Sequence, residues 1–342
     1  MNILENVSLA SYSTMRLGGK ARYLAEAASQ REVVEMVNWA QAQGLDCLMI
    51  GGGSNIVWRD EGYPGLIIVN KIMGKEVLHE DENSATVRVG AGEVWDEVVA
   101  WTVDQKLSGL EFLSLIPGSV GAGPIQNIGA YGAEIADTLV EVAAYDKKLG
   151  SFGSISGKNC GFGYRTSRFK TTDRGRFVIT SVVMKLKKSN PRPPFYEVLQ
   201  AYLDQNRVQN YTPEIIRNAV IAVRSAKLPD PAIVANNGSF FTNPIIGADQ
   251  FERLKENYPE IKGWPASDGR VKIAAGWLVE RAGFRGYHDE QTGMATSEKQ
   301  ALVLINEHAK STADLLKFKS KIVDKVEQMF DIILEQEPEL LP

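Results

Sequence analysis

The sequence predicts an α+β protein built from two or three domains. Its 342 residues are too many for one core of ordinary size. Hydrophobic residues make up 44% and charged residues 23%, the balance of a globular chain. Capped helical periodicities and sheet-like runs occur together along the chain, and the middle third is rich in strands.

The elements follow in order. Ser29 with Glu32 forms a capping-box pattern, and Val33, Met36, Val37 and Ala40 repeat at helical spacing, so a helix starts there. Gly44 is placed to end it. "LDCLMI" is a short buried strand that runs directly into "GGGSN", and "PGLIIVN" is the next strand. "ATVRVGAG" alternates as a half-buried strand does. Trp95, Val98, Val99 and Thr102 mark a helix that ends near Gly109. "LVEVAAYD" and "RFVITSVVMKLKK" are further strands, and "NPRPP" interrupts the pattern. Thr212 caps a helix with Pro213 at its first position, and that helix stops before "KLPDP". A domain boundary near 228 follows. The last long helix buries Leu315, Phe318, Ile322, Val323, Val326 and Met329, and "DIILEQEPELLP" closes as a strand and an acidic tail.

Composition narrows the function. A formal charge of −4 opposes nucleic-acid and membrane-surface roles, which draw on basic excess. Cys47 and Cys160 form no disulfide framework, and His79, His288 and His308 are scattered, so no metal site is expected. "MNILENVSLASYS" has neither a basic nor an apolar signal region, and no apolar run approaches the roughly 20 residues that span a bilayer. A cytoplasmic protein is expected, and a monomer.

Two glycine-rich tracts stand out, "GGGSN" at 51–55 and "PGSVGAGPIQNIGAYG" at 117–132. Glycines let backbone N–H groups approach an anion closely, so phosphate is the natural guest. Neither tract has P-loop spacing or G-x-G-x-x-G at a strand-to-helix turn. Taken singly, each also reads as an ordinary tight turn. The second tract adds the amides of Gln126 and Asn127, which suit the edge of a heterocycle, and the ring of Tyr131.

The two tracts in this order, with "YSTMRLGG", "CGFGYRTSRFK", "KLPDP", "GSFFTNP", "AAGWLVERAG", "QALVLINE" and "LEQEPE", resemble the UDP-N-acetylenolpyruvoylglucosamine reductases of bacterial cell-wall synthesis. That family belongs to the flavoproteins related to vanillyl-alcohol oxidase, and the resemblance covers essentially the whole chain. It implies a two-part FAD-binding fold, 1–74 with 331–342 and 75–228, followed by a smaller α+β substrate-binding domain at 229–330. It also implies that FAD contacts Gly51, Gly52, Gly53, Ser54 and Asn55 from the first tract. From the second it implies Ile116, Pro117, Gly118, Gly121, Ala122, Gly123, Asn127 and Ala130. No histidine lies in or beside either tract, so the flavin is expected to be noncovalent.

The implied reaction is NADPH-dependent reduction of UDP-N-acetylglucosamine enolpyruvate to UDP-N-acetylmuramate. Arg165 matches the position that steadies the enolate, and its planar fork suits a carboxylate. Ser239 matches the proton donor, although a serine between Gly238 and Phe240 could equally close a turn. Glu337 matches the catalytic glutamate; Pro338 directly after it departs from the family pattern. Tyr196, Lys227, Asn243 and Gln300 match substrate-binding positions. Two alternatives stay open at this level: another noncovalent-FAD oxidoreductase of the same superfamily, and a binding module that keeps the scaffold without the catalytic residues.

Overall fold

The computed structural model describes residues 1–266 and 268–342. The chain opens with β1 (Ile3–Ser8), β2 (Lys20–Ala27), α1 (Gln30–Ala42), β3 (Cys47–Ile50), β4 (Ile56–Trp58) and β5 (Tyr63–Asn70). It continues with β6 (Lys75–Glu80), β7 (Ser84–Gly90), α2 (Trp95–Asp104), β8 (Gly129–Ala130), β9 (Ala133–Glu134), β10 (Leu139–Asp146), β11 (Ser151–Ser156) and β12 (Phe177–Lys187). Then come α3 (Glu197–Gln205), α4 (Pro213–Lys227), β13 (Asn236–Ser239), β14 (Ile245–Ile246), α5 (Ala248–Asn257), β15 (Gly263–Pro265) and β16 (Val271–Ile273). The last elements are α6 (Ala275–Arg281), β17 (His288–Asp289), β18 (Met294–Thr296), β19 (Val303–Asn306), α7 (Thr312–Phe330) and β20 (Glu339–Leu341).

Local chemistry explains where these elements start and stop. Ser29 Oγ accepts from the Glu32 amide at 3.2 Å, while the Glu32 carboxylate accepts from the Ala28 amide at 2.7 Å. Both ends of α1's first turn are thereby satisfied. α2 ends at Asp104, short of the Gly109 that its sequence suggests. Lys106 turns left-handed at φ 58° and the Leu107 amide closes back on the Thr102 carbonyl at 2.9 Å. A lysine thus takes the capping role usually held by glycine, which hides the stop from sequence reading.

The carboxyl-terminal segment also differs from its expectation. Asp331 turns left-handed after α7, and the strand forms at Glu339–Leu341 rather than directly after the helix. Pro338 stands just ahead of that strand, where its missing N–H removes no rung. β20 runs parallel to β4, with Leu341 opposite Trp58.

Contacts divide the chain into two compact units. The first comprises Met1–Val7, Ala21–Gly52 and Tyr63–Ala226. It holds a four-stranded sheet, order β1-β2-β5-β3, with β5 parallel to both β2 and β3. Its second sheet, order β11-β10-β12-β7-β6, is antiparallel. Trp95, Val98 and Val99 of α2 pack with Val87, Val142 and Val182 of that sheet. Val33, Met36, Val37 and Ala40 of α1 pack against Leu66 and Ile68 of β5.

The second unit comprises Ser8–Lys20, Gly53–Gly62 and Lys227–Pro342. It holds the sheets β13-β19-β18-β17 and β14-β16-β15, together with the β4–β20 pair. Its core joins Phe240 and Phe241 to Leu278 and to Leu315, Phe318, Ile322 and Val326 of α7. The first unit ends at Ala226, beside the boundary expected near 228, and the short inserts 8–20 and 53–62 group with the carboxyl-terminal third. No helix among the described residues is long and apolar enough to cross a membrane.

Candidate active site

In the first unit, β3 delivers Gly51 and Gly52 directly against the second glycine tract. A β carbon on Gly51 would collide with the Ser119 hydroxyl, and one on Gly52 would stand 3.1 Å from the Gly118 Cα. The two tracts therefore meet backbone to backbone, as their composition requires. Gly118 is left-handed at φ 114°, turning the chain after Ile116 and Pro117 into a 3-10 helix, Val120–Ile125. That helix carries Gly121, Ala122 and Gly123. The amides of Val120 and Gly121 donate to the carbonyls of Glu93 and Ala91, both at 2.9 Å.

The side chain of Asn127 is turned inward. Fully buried, it donates to Glu134 Oε2 at 2.6 Å and to the Gly163 carbonyl at 3.2 Å, and accepts from the Ala136 amide at 3.2 Å. Any cofactor contact at Asn127 thus falls to its backbone. Ala130 lies beyond it in β8. Arg165 sits at the tip of a narrow loop with a left-handed φ of 53°, and its Nη2 donates to the Gly129 carbonyl at 2.7 Å. Such a backbone in a long side chain persists only where its surroundings determine it. Tyr196 stands just before α3, 46% exposed, with its ring edge-on to Tyr131 at 6.0 Å.

The second unit carries the other expected residues. Gly53, Ser54 and Asn55 lead into β4, and Asn237 holds this stretch by donating to the Ser54 carbonyl and to Thr14 Oγ1, both at 3.1 Å. The Glu339 amide fixes the Asn55 carbonyl at 2.9 Å. Ser239 ends β13 opposite Val303 of β19. The Glu337 amide donates to the Phe240 carbonyl at 2.9 Å, and the Thr242 amide to the Glu335 carbonyl at 2.9 Å. In this short antiparallel ladder Glu337 pairs with Phe240, the residue after Ser239.

Asn243 and Gln300 converge on the first turn of α6. Asn243 Oδ1 accepts from the Ala275 amide at 2.9 Å, and Gln300 Oε1 would stand 3.0 Å from a β carbon on Gly276. Lys227, at the end of α4, is exposed.

Three buried polar atoms have no hydrogen-bond partner among the described residues: Ser119 Oγ, Arg224 Nε and Asn237 Oδ1. Most buried polar groups find a protein or water partner, so these three atoms are open to water or a ligand. Sequence reading passed over all three, although Ser119 lies inside the second glycine tract and Asn237 two residues before Ser239. For Arg224 the signal was its spacing of seven from Arg217 on α4, which puts both on one face. Arg217 forks onto Asp96 at 2.7 and 2.9 Å, and Arg224 Nη2 donates to the Leu115 carbonyl at 3.3 Å. Burial pushes the Arg224 pKa down and raises that of the Tyr131 hydroxyl.

A family model described as FAD binding domain matches residues 21–151, and one for the UDP-N-acetylenolpyruvoylglucosamine reductase C-terminal domain matches 230–341. The UDP-N-acetylenolpyruvoylglucosamine reductase of Pseudomonas aeruginosa is 37% identical over 340 residues, 99% of either chain. The chain belongs to the UDP-N-acetylenolpyruvoylglucosamine reductase family. The reductase of Paraburkholderia xenovorans is 40% identical over 337 residues, covering 98% of this chain and 96% of its own. The reductase structure from Thermus caldophilus has the same fold, with a TM-score of 0.69 at 23% identity and all of both chains covered.

This is an FAD-dependent oxidoreductase with a reductase C-terminal domain. The residues fit that cofactor. Gly51 and Gly52 pack directly on Gly118 and Ser119, so glycine is needed where the two tracts meet, and the buried Ser119 hydroxyl is left with a hydrogen bond to give. That hydroxyl, beside glycine-rich backbone, suits an anionic ligand held close to backbone amides.

Proposed function

We propose that this chain reduces UDP-N-acetylglucosamine enolpyruvate to UDP-N-acetylmuramate, with NADPH as the reductant. FAD, when bound and first reduced by NADPH, would supply the hydride that adds to the methylene carbon of the enol ether. Ser239 gives a proton to the neighbouring carbon, so that one hydride and one proton add across the double bond. Arg165 holds the substrate carboxylate through its fork and steadies the enolate charge that the hydride creates. Glu337 acts beside Ser239 in the proton transfer.

Lys227 meets the diphosphate as a point charge, while Asn243, Gln300 and Tyr196 hold the rest of the nucleotide sugar. FAD is held by Gly51–Asn55 and by Ile116–Gly118, Gly121–Gly123, Asn127 and Ala130. In this reading 1–74 with 331–342 and 75–228 are the two FAD-binding parts, 229–330 binds the substrate, and the protein acts in the cytoplasm as a monomer.

The observation that best supports this reading is the ladder joining 240–242 to 335–337. It gives the proton donor and the glutamate a common backbone support in one unit. The test is a stopped-flow measurement of both flavin half reactions. Ser239→Ala is expected to reduce with NADPH as the wild type does, but to lose about 10²–10⁴-fold in reoxidation by the enolpyruvyl nucleotide, the size of a general-acid contribution. Equal damage to both halves removes Ser239 as the proton donor.

A further inference from the structure

The geometry points to Gly129 as the residue that positions the Arg165 guanidinium, with Asn127 fixing the loop beneath it; this rests on the reading of Arg165 as the substrate-carboxylate ligand. The loop itself is short and closed. Gly163 and Thr166 exchange both backbone hydrogen bonds, at 3.1 and 3.2 Å, which leaves Tyr164 and Arg165 at the tip. Two side chains anchor its feet: Asn127 Nδ2 donates to the Gly163 carbonyl at 3.2 Å and Ser167 Oγ to the Ile125 carbonyl at 2.6 Å. The same Asn127 amide grips Glu134 in the β8–β9 hairpin. Loop and hairpin are therefore tied together through one side chain.

From the tip, the guanidinium reaches back across β8, where Nη2 donates to the Gly129 carbonyl. A β carbon on Gly129 would stand 3.2 Å from Arg165 Nη1, 3.0 Å from Glu134 Cγ and 2.9 Å from the Ala133 carbonyl. Gly129 is not among the left-handed glycines of this chain. Its backbone does not call for glycine; the space beside it does. An alanine here keeps the carbonyl that Arg165 binds, but its β carbon presses on the Ala133 carbonyl and Glu134 across the hairpin and on Arg165 Nη1, so the fork must shift by a few tenths of an ångström relative to that carbonyl.

The test uses the holoenzyme and two readouts. Gly129→Ala is expected to retain flavin and to be reduced by NADPH as the wild type is. Its reoxidation by the enolpyruvyl nucleotide should slow by roughly tenfold or more, toward the about 10²-fold that a 1 Å misplacement costs. In an Arg165→Ala background the same substitution should cost nothing further, because it acts through the missing side chain. An equal cost in both backgrounds overturns the positioning role.

The second readout is the Arg165 Nε–H resonance in protein labelled with ¹⁵N-arginine, assigned by its loss in Arg165→Ala. Gly129→Ala should shift it, and an unmoved resonance overturns the proposal whatever the kinetics show. If Arg165→Ala itself reacts normally, the reading of Arg165 as carboxylate ligand falls, while the resonance still decides what Gly129 does. Should Gly129→Ala fail to fold, Ser167→Ala, which frees one foot of the loop, must give the same shift and the same non-additivity.

Discussion

A β carbon on Gly121 would lie 2.6 Å from Ala91 Cβ and 3.1 Å from the Ala91 carbonyl oxygen. Neither atom can swing aside, since one is a methyl on the main chain and the other accepts the Gly121 amide. Gly121→Ala must therefore lift the 3-10 helix off the end of β7, at about 1–3 kcal/mol of overpacking strain. The purified variant should melt at a lower temperature and retain less FAD than the wild type. Unchanged flavin content with a lowered melting point would mean that this helix supports the fold without touching the cofactor. At this scale the sequence was informative where residue type is restrictive. The glycines of both tracts announce a close approach of backbone, and the structure shows one between the tracts themselves, Gly51 and Gly52 against Ser119 and Gly118. Asn127 was less legible, because an amide in a glycine-rich tract looks the same whether its side chain faces a ligand or, as here, ties Glu134, Gly163 and Ala136 together.

Between elements, the pair Asp96–Arg217 joins the first turn of α2 to α4. The Arg217 fork reaches both carboxylate oxygens, and Asp96 Oδ1 also accepts from the Leu115 amide at 2.6 Å, just ahead of the second glycine tract. Burial works to raise the Asp96 pKa, but the Arg217 hydrogen bonds and the Leu115 amide outweigh it and hold the carboxyl below its usual value. A folded pKa below the unfolded one, about 3.9, gives stability that is fully present above that value and is lost as pH falls through the folded pKa. Asp96→Asn should accordingly cost about 1.5–3 kcal/mol at pH 7, the range for hydrogen bonds to a charged group. Urea unfolding should show the gap to wild type narrowing as the pH drops below about 3.9; a gap constant with pH would trace the loss to packing.

The elements themselves were legible where periodicity and caps coincide, as in α1 and α4, and α7 was legible from its apolar face alone. They were less so where a stop has an unusual residue. Lys106 and Asp331 take left-handed conformations that their side chains do not announce, so the end of α2 and the start of the last strand were both displaced in the sequence reading.

Across the whole molecule, each unit has a core of its own, and the chain passes between the units at Gly52–Gly53, inside the first glycine tract. A long stretch of the second unit begins at Lys227, after a capped helix and beside "KLPDP", but nothing in the sequence marks the inserts 8–20 and 53–62. They join the second unit through pairings far apart in sequence, such as β4 with β20 and the Thr312 amide with Asp60 at 2.7 Å. FAD bound to the folded chain and not to the unfolded one adds stability by mass action, about 2.7 kcal/mol at a free concentration a hundred times Kd and about 1.4 kcal/mol more for each further tenfold. Protein stripped of flavin should thus melt below the holoprotein, and its midpoint should climb with the logarithm of added FAD. None of His79, His288 and His308 lies in either tract, so acid precipitation should leave the yellow colour in the supernatant. Flavin that stays with the pellet would require a covalent link through a residue other than histidine, since the tracts hold none, and a midpoint indifferent to FAD would mean that the folded chain does not take up the cofactor that its FAD-binding domain implies.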